Sequence, residues 1–128
     1  MAPVSRRVLI VEDEFFVALD LELLVHKRSP AAEVVVCSSL TEARAAAKEP
    51  FGLALLDIDV LDGRTYEVAQ DLKRRGTQVV FVSGSNRHEV PEALRDVPFI
   101  PKPYAPPLIE ATISAALAGA PPAQEARP

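Results

Sequence analysis

Residues 53–63 read LALLDIDVLDG. Four apolar residues run straight into two carboxylates one residue apart, Asp57 and Asp59, and then into a turn at Asp62 and Gly63. A short continuous apolar run of this kind suits a strand buried on both faces, as in a parallel sheet. In such sheets ligands bind outside the carboxyl ends of the strands, where the strand order reverses. Asp57 therefore stands where a site belongs.

Outward from this stretch, short apolar runs alternate with segments of helical period. Val8 to Val11 is a buried-strand run, and Phe16, Leu19, Leu23 and Val25 to Lys27 continue as a helix that ends by Pro30. Glu33 to Cys37 is a second strand. Ser39 with Glu42 three residues on forms a capping-box pattern that opens an Ala-rich helix to Lys48. After the third strand, Leu53 to Leu56, the segment Arg64 to Arg75 is helical with Val68, Ala69 and Leu72 inward and Gly76 as its stop. Val79 to Val82 is a fourth strand. Ser85 to Val97 is polar and weakly periodic, with one short helix expected near Pro91 to Arg95. Phe99 and Ile100 make a brief fifth strand. Pro106 and Pro107 suit the first turn of a last helix, whose apolar face is Leu108, Ile109, Thr112, Ile113, Ala116 and Leu117. Strand–helix alternation of this kind predicts a parallel sheet covered by helices on both sides.

The chain of 128 residues is one domain by length, with a formal net charge of −4. That balance argues against direct nucleic-acid binding, because phosphate backbones are held by Lys and Arg. A single cysteine, Cys37, excludes an internal disulfide and a Cys-based metal cluster. No apolar run approaches a membrane span and the N-terminus lacks the shape of a signal peptide, so no membrane association is expected and the cytoplasm is the simplest compartment.

The other strand ends carry chemistry that matches Asp57. Strand one ends at Glu12 and Asp13, strand four at Ser83 and Gly84, and strand five at Lys102 and Pro103. Clustered carboxylates repel each other, which is costly unless a cation or proton sits among them. All-oxygen ligands favour a hard ion, and Mg²⁺ prefers a few carboxylates with waters and phosphate. A carboxylate can attack phosphorus to give an aspartyl phosphate, while the metal, Lys102 and Ser83 hold the equatorial oxygens. The residues read as a magnesium and phosphoryl site.

Across residues 5–119 this pattern resembles the receiver domain of bacterial two-component response regulators. The resemblance implies a flavodoxin-like, doubly wound five-stranded sheet of order 2-1-3-4-5, its fourth helix here short or irregular. It implies that Asp57 is the phosphoacceptor for a sensor histidine kinase or a histidine phosphotransfer protein. Asp13 and Asp57 would be direct Mg²⁺ ligands, Glu12 a ligand through water, and Asp59 the donor of a backbone carbonyl. Ser83 occupies the switching hydroxyl position, Gly84 the small residue after it, and Phe99 the switching aromatic. Lys102 followed by Pro103 resembles the family's Lys-Pro pair, whose peptide bond is usually cis. The domain would be no enzyme beyond its own phosphorylation and dephosphorylation.

Two departures narrow the resemblance. The interval from Asp57 to Gly63 is seven residues, shorter than in many receivers, and the Ser83–Lys102 interval is short too. With Phe81-Val82-Ser83-Gly84, these features resemble the alphaproteobacterial subgroup named for its Phe-Ala-Thr-Gly motif. The Pro-rich residues 120–128 are expected to be disordered. The downstream protein partner is not legible, and homodimerisation through the reduced fourth-helix region stays open.

Plainer readings stand beside these. Glu12 to Glu14 are also acids favoured at a helix N-terminus. Asp59 and Asp62 suit turns, and Asp62 reads chiefly as a turn former. Tyr104 reads equally as a packing residue and a surface residue. His26, His88, Arg6, Arg7, Arg74, Arg75 and Arg87 read as surface groups. Asp57-Ile-Asp-Val also resembles the nucleophile motif of haloacid-dehalogenase-type phosphatases, with Asp57 as nucleophile and Asp59 as acid/base. Against that, the acidic pair here precedes the motif, and only Glu110 and Glu125 follow Lys102. A pseudo-receiver that only binds is the third class, which the complete Asp57, Ser83 and Lys102 set disfavours.

Overall fold

The structure is a computed structural model that describes residues 6–118. Among these residues seven strands, four α-helices and two 3₁₀ turns follow one another. They are β1 (Arg7–Val11), α1 (Phe15–Arg28), β2 (Glu33–Cys37), α2 (Leu40–Ala46), β3 (Leu53–Leu56), β4 (Asp59–Val60) and β5 (Gly63–Arg64). Then come α3 (Tyr66–Arg74), β6 (Gln78–Ser83), 3₁₀ turns at Arg87–Glu89 and Glu92–Leu94, β7 (Phe99–Pro101) and α4 (Pro106–Leu117).

Five strands pair in parallel in the order β2-β1-β3-β6-β7. This is the flavodoxin-like order expected from the sequence, with the short antiparallel β4–β5 hairpin inserted after β3. Successive strand residues point to opposite faces, so each central strand feeds two cores. Leu9, Val11, Leu56 and Phe81 pack beneath α2 and α3. Val8, Ile10, Leu55, Val80 and Val82 pack beneath α1 and α4. Each large side chain buried in this way contributes ~1.5–3 kcal/mol. Reversal of strand order at β1 and β3 opens the crevice that the site occupies.

Local signals explain most element ends. Ser39 caps α2, its Oγ accepting from the Glu42 N–H at 3.1 Å. Glu42 closes the box one residue earlier than the pattern implies, accepting from Ser38 N at 2.8 Å. At the end of α3, Gly76 has φ +88°. The Thr77 N–H reaches Leu72 O at 3.0 Å and the Gly76 N–H reaches Lys73 O at 3.1 Å, which makes a Schellman motif.

Several expectations need correction. The helix read from Arg64 begins at Tyr66, because Arg64 is committed to the β4–β5 hairpin. Asp62 does more than turn the chain: its carboxylate accepts from Leu40 N at 2.5 Å and from Thr41 N at 3.1 Å, so it caps α2 from 22 and 21 residues away. The short helix expected near Pro91 to Arg95 is one 3₁₀ turn, preceded by another. In α1, the buried positions are Ala18, Leu21 and Val25, whereas Phe15, Phe16, Leu19 and Leu23 face solvent. His26 is half-buried, with Nε2 3.2 Å from Ala32 O. Arg7 stacks on Phe51 at 4.6 Å and pairs with Glu33 at 3.2 Å, so it is not a merely solvated charge. No described helix is long and apolar enough to cross a membrane. The expected disordered tail at 120–128 lies outside the described residues.

Candidate functional site

Parallel pairing brings the carboxyl ends of β1, β3, β6 and β7 to one edge. Asp57 leaves β3 with its N–H donating to Val11 O at 2.9 Å. Its carboxylate is held on both oxygens: Ser83 Oγ donates to Oδ1 at 2.7 Å, and Lys102 Nζ donates to Oδ2 at 3.1 Å. The same ammonium donates to Glu12 Oε1 at 2.6 Å, and Glu12 Oε2 accepts from Glu14 N at 3.0 Å. Ser83, Asp57, Lys102 and Glu12 thus form one hydrogen-bonded chain across three strand connections.

These groups sit at low exposure, 2% for Glu12, 8% for Asp57 and 1% for Ser83, so their charges are poorly screened. Burial pushes the Glu12 carboxyl above its ordinary range, and the Lys102 bond offsets this only in part. Burial alone would lower Lys102, but the bonds and charges of Glu12 and Asp57 outweigh it and hold the ammonium above its usual value. Oxygens of Glu12, Asp13 and Asp57 lie within 4.8 Å of one another. Three carboxylates face one ammonium there, which leaves a surplus of negative charge among hard oxygen donors. That donor set fits Mg²⁺.

Around this centre, Asp59 is exposed at the mouth of a cavity of about 320 Å³ that is also lined by Asp13, Asp57 and Ser83. Its carboxylate accepts from Arg64 Nε at 3.3 Å and from Ser85 Oγ. Phe99 is buried in β7, one strand-length from Lys102, and borders a cavity of about 200 Å³ with Val90, Leu94 and Val97. The Lys102–Pro103 peptide bond is cis, and Lys102 N donates to Ser83 O at 3.0 Å. Glu12, Asp13, Asp57, Asp59, Ser83, Gly84 and Lys102 therefore lie together at this edge, with Phe99 in the adjoining strand β7.

Some participants escaped the sequence reading. Thr65 is fully buried, and its Oγ1 donates to the Asp57 carbonyl at 2.7 Å. Ser85 reaches Asp59. Tyr104, which from sequence reads equally as a packing residue and a surface residue, is half-buried with its hydroxyl donating to Asp20 on α1. Burial and that carboxylate push the Tyr104 phenol upward. A hydroxyl eight residues after an acid carries no periodic signal, so nothing local marks Thr65.

Comparisons with known proteins agree with this geometry. The chain matches no protein-family model, and no curated protein is significantly similar in sequence. Solved structures are similar. A CheY-like response regulator receiver domain protein from Methanospirillum hungatei JF-1 is 25% identical with a TM-score of 0.77, covering 90% of this chain and 95% of that one. A response regulator receiver protein from Sinorhizobium medicae WSM419 is 21% identical with a TM-score of 0.74, covering 89% and 95%, a likeness of fold. The response regulator PhyR from Brucella abortus is 30% identical with a TM-score of 0.71, covering 91% of this chain and 49% of that one. This chain spans about half the length of that PhyR chain. Its five-stranded sheet, with the acidic group at the carboxyl edge, is the receiver-domain fold of response regulators.

Proposed function

We propose that this chain is a receiver that takes a phosphoryl group onto Asp57 from a sensor histidine kinase or histidine phosphotransfer protein, with Mg²⁺ bound, and thereby switches its affinity for a protein partner. The observation that carries the reading is the double anchoring of the Asp57 carboxylate by Ser83 and Lys102 beside the Glu12–Asp13 pair. Two donors satisfy a buried carboxylate, and in a phosphoacceptor the same donors can transfer to the incoming oxygens.

Asp13 and Asp57, with Glu12 through water and the Asp59 carbonyl, would hold the ion. When bound, Mg²⁺ neutralises charge on the phosphoryl oxygens. An Asp57 carboxylate oxygen forms the bond to phosphorus as the phosphorus–nitrogen bond of the donor's phosphohistidine breaks. The bond pair stays on the imidazole nitrogen, which takes up a proton. Lys102 and Ser83, already on the two carboxylate oxygens, turn to the phosphoryl oxygens and stabilise charge there. Hydrolysis reverses the gain: water attacks phosphorus and the Asp57 carboxylate leaves.

The switch follows from packing. Ser83 is drawn toward the phosphoryl group, and the Phe99 ring moves into the space beside it. The ring also borders a cavity of about 200 Å³ shared with Val90, Leu94 and Val97, so it is not packed on every side. A small local change of this kind biases a two-state equilibrium. The Phe81-Val82-Ser83-Gly84 motif, the 3₁₀ turns between β6 and β7 and the likeness to PhyR support placement in the alphaproteobacterial Phe-Ala-Thr-Gly subgroup. The receiver unit is assigned to residues 5–119 and to the cytoplasm.

Incubation with acetyl phosphate and Mg²⁺, read by intact-mass spectrometry, tests the reading. One labile phosphoryl adduct is expected, lost in Asp57→Asn and without metal. Rapid release of free phosphate with no adduct would favour a phosphatase. No reaction would leave a pseudo-receiver.

A further inference from the structure

We propose that Thr65 is a positioning residue for the phosphoacceptor: its hydroxyl fixes the Asp57 peptide and ties the start of α3 to the site. The inference rests on the receiver reading of Asp57. Asp57 lies just beyond the last paired residue of β3, where the sheet no longer satisfies its carbonyl. Thr65 Oγ1 supplies the missing bond at 2.7 Å. The Thr65 N–H adds a second tie, donating to Ile58 O at 3.0 Å.

Position in α3 makes the arrangement informative. Thr65 is the N-cap of this helix, yet its side chain makes no capping bond. An N-cap Thr ordinarily accepts from the first turn of its own helix, a bond that stabilises by about 1 kcal/mol. Here the hydroxyl is turned instead onto the backbone of the residue that precedes Ile58, and it is fully buried there. Local stability is forgone at the residue whose side chain holds the Asp57 carbonyl, and such exceptions cluster where function constrains geometry.

The consequence is a complete harness. The Asp57 N–H is held by Val11, its carbonyl by Thr65, and its two carboxylate oxygens by Ser83 and Lys102. In-line attack on phosphorus needs the carboxylate at a set distance and angle, and a carbonyl free to rotate would let both drift. Loss of the Thr65 hydroxyl therefore slows transfer at saturating donor and leaves half-saturation by the donor little changed.

Two variants separate the hydroxyl from the packing. Thr65→Val keeps shape and removes the hydroxyl; Thr65→Ser keeps the hydroxyl and removes a buried methyl group. Phosphorylation by acetyl phosphate with Mg²⁺ is followed across donor concentrations, with thermal unfolding measured on each protein. Thr65→Val is expected to lower the saturating rate at least tenfold with half-saturation within twofold, and Thr65→Ser to stay within about threefold of native although it unfolds at lower temperature. A Thr65→Val protein that phosphorylates at the native rate overturns the proposal. If Thr65→Val does not fold, Thr65→Ser decides: a native-like rate supports the hydroxyl role, and a tenfold loss overturns it. Native protein that gains no adduct overturns the receiver reading and this inference together, whereas equal rates in a native chain that does react overturn this inference alone.

Discussion

Asp13 contributes a half-buried carboxylate that no described ammonium neutralises, next to two that share Lys102. Asp13→Asn removes the surplus charge that favours a divalent ion. It is expected to weaken Mg²⁺ by at least the roughly 10–100-fold that loss of a supporting residue costs, read from the Mg²⁺ dependence of phosphorylation. Ser83→Ala removes one of two donors to the phosphoryl oxygens and is expected to slow transfer by about 10²-fold, measured with the same donor. At this scale the sequence was informative about identity and silent about partnership. Asp57, Ser83 and Lys102 were legible because each ends a strand. Thr65 was not, because its role is a bond to a backbone atom and backbone atoms have no signature.

Elements were legible where local chemistry decides them. The Ser39–Glu42 pattern opened α2 and Gly76 closed α3, as expected. Gly76→Ala places a Cβ on a residue at φ +88° and is expected to destabilise by about 1 kcal/mol, measured by urea unfolding. Asp62 belongs to the same scale but works at long range. The Leu40 N–H first, then the Thr41 hydroxyl, holds its carboxyl below the usual carboxylate range. Its folded pKa is thus below its unfolded one, so its contribution is complete above about pH 4 and is lost as pH falls through the lower folded value. Asp62→Ala is expected to lower the unfolding midpoint at pH 7, with the difference from native shrinking as the pH is taken below about 4. Periodicity found α1 without finding its inner side: apolar residues lie on both faces, and only packing on the sheet selects Ala18, Leu21 and Val25. An exposed group of Phe15, Phe16, Leu19 and Leu23 results.

For the whole molecule, the site links β1, β3, β6 and β7, so occupancy at one edge acts on global stability. Mg²⁺ at 100 times its Kd is expected to stabilise the fold by about 2.7 kcal/mol. For a domain of this size that is a rise in Tm of roughly 10 °C or more. EDTA should remove the gain, and Asp13→Asn should lack it at the same Mg²⁺ concentration; thermal unfolding followed by circular dichroism reads both. The sequence by itself determined the alternation of the five sheet strands with helices, the parallel sheet and the residues at its carboxyl edge. These follow from apolar runs and their boundaries, and parallel topology sends every such boundary to one side. Tertiary structure alone decided which face of α1 is covered, that Asp62 caps α2, that the Arg64 segment folds into a hairpin, and that Thr65 holds Asp57. The covered face of α1 is set by packing on the sheet; the Asp62 and Thr65 bonds depend on where a loop carries a polar group relative to another part of the chain, and at Thr65 burial makes the bond obligatory.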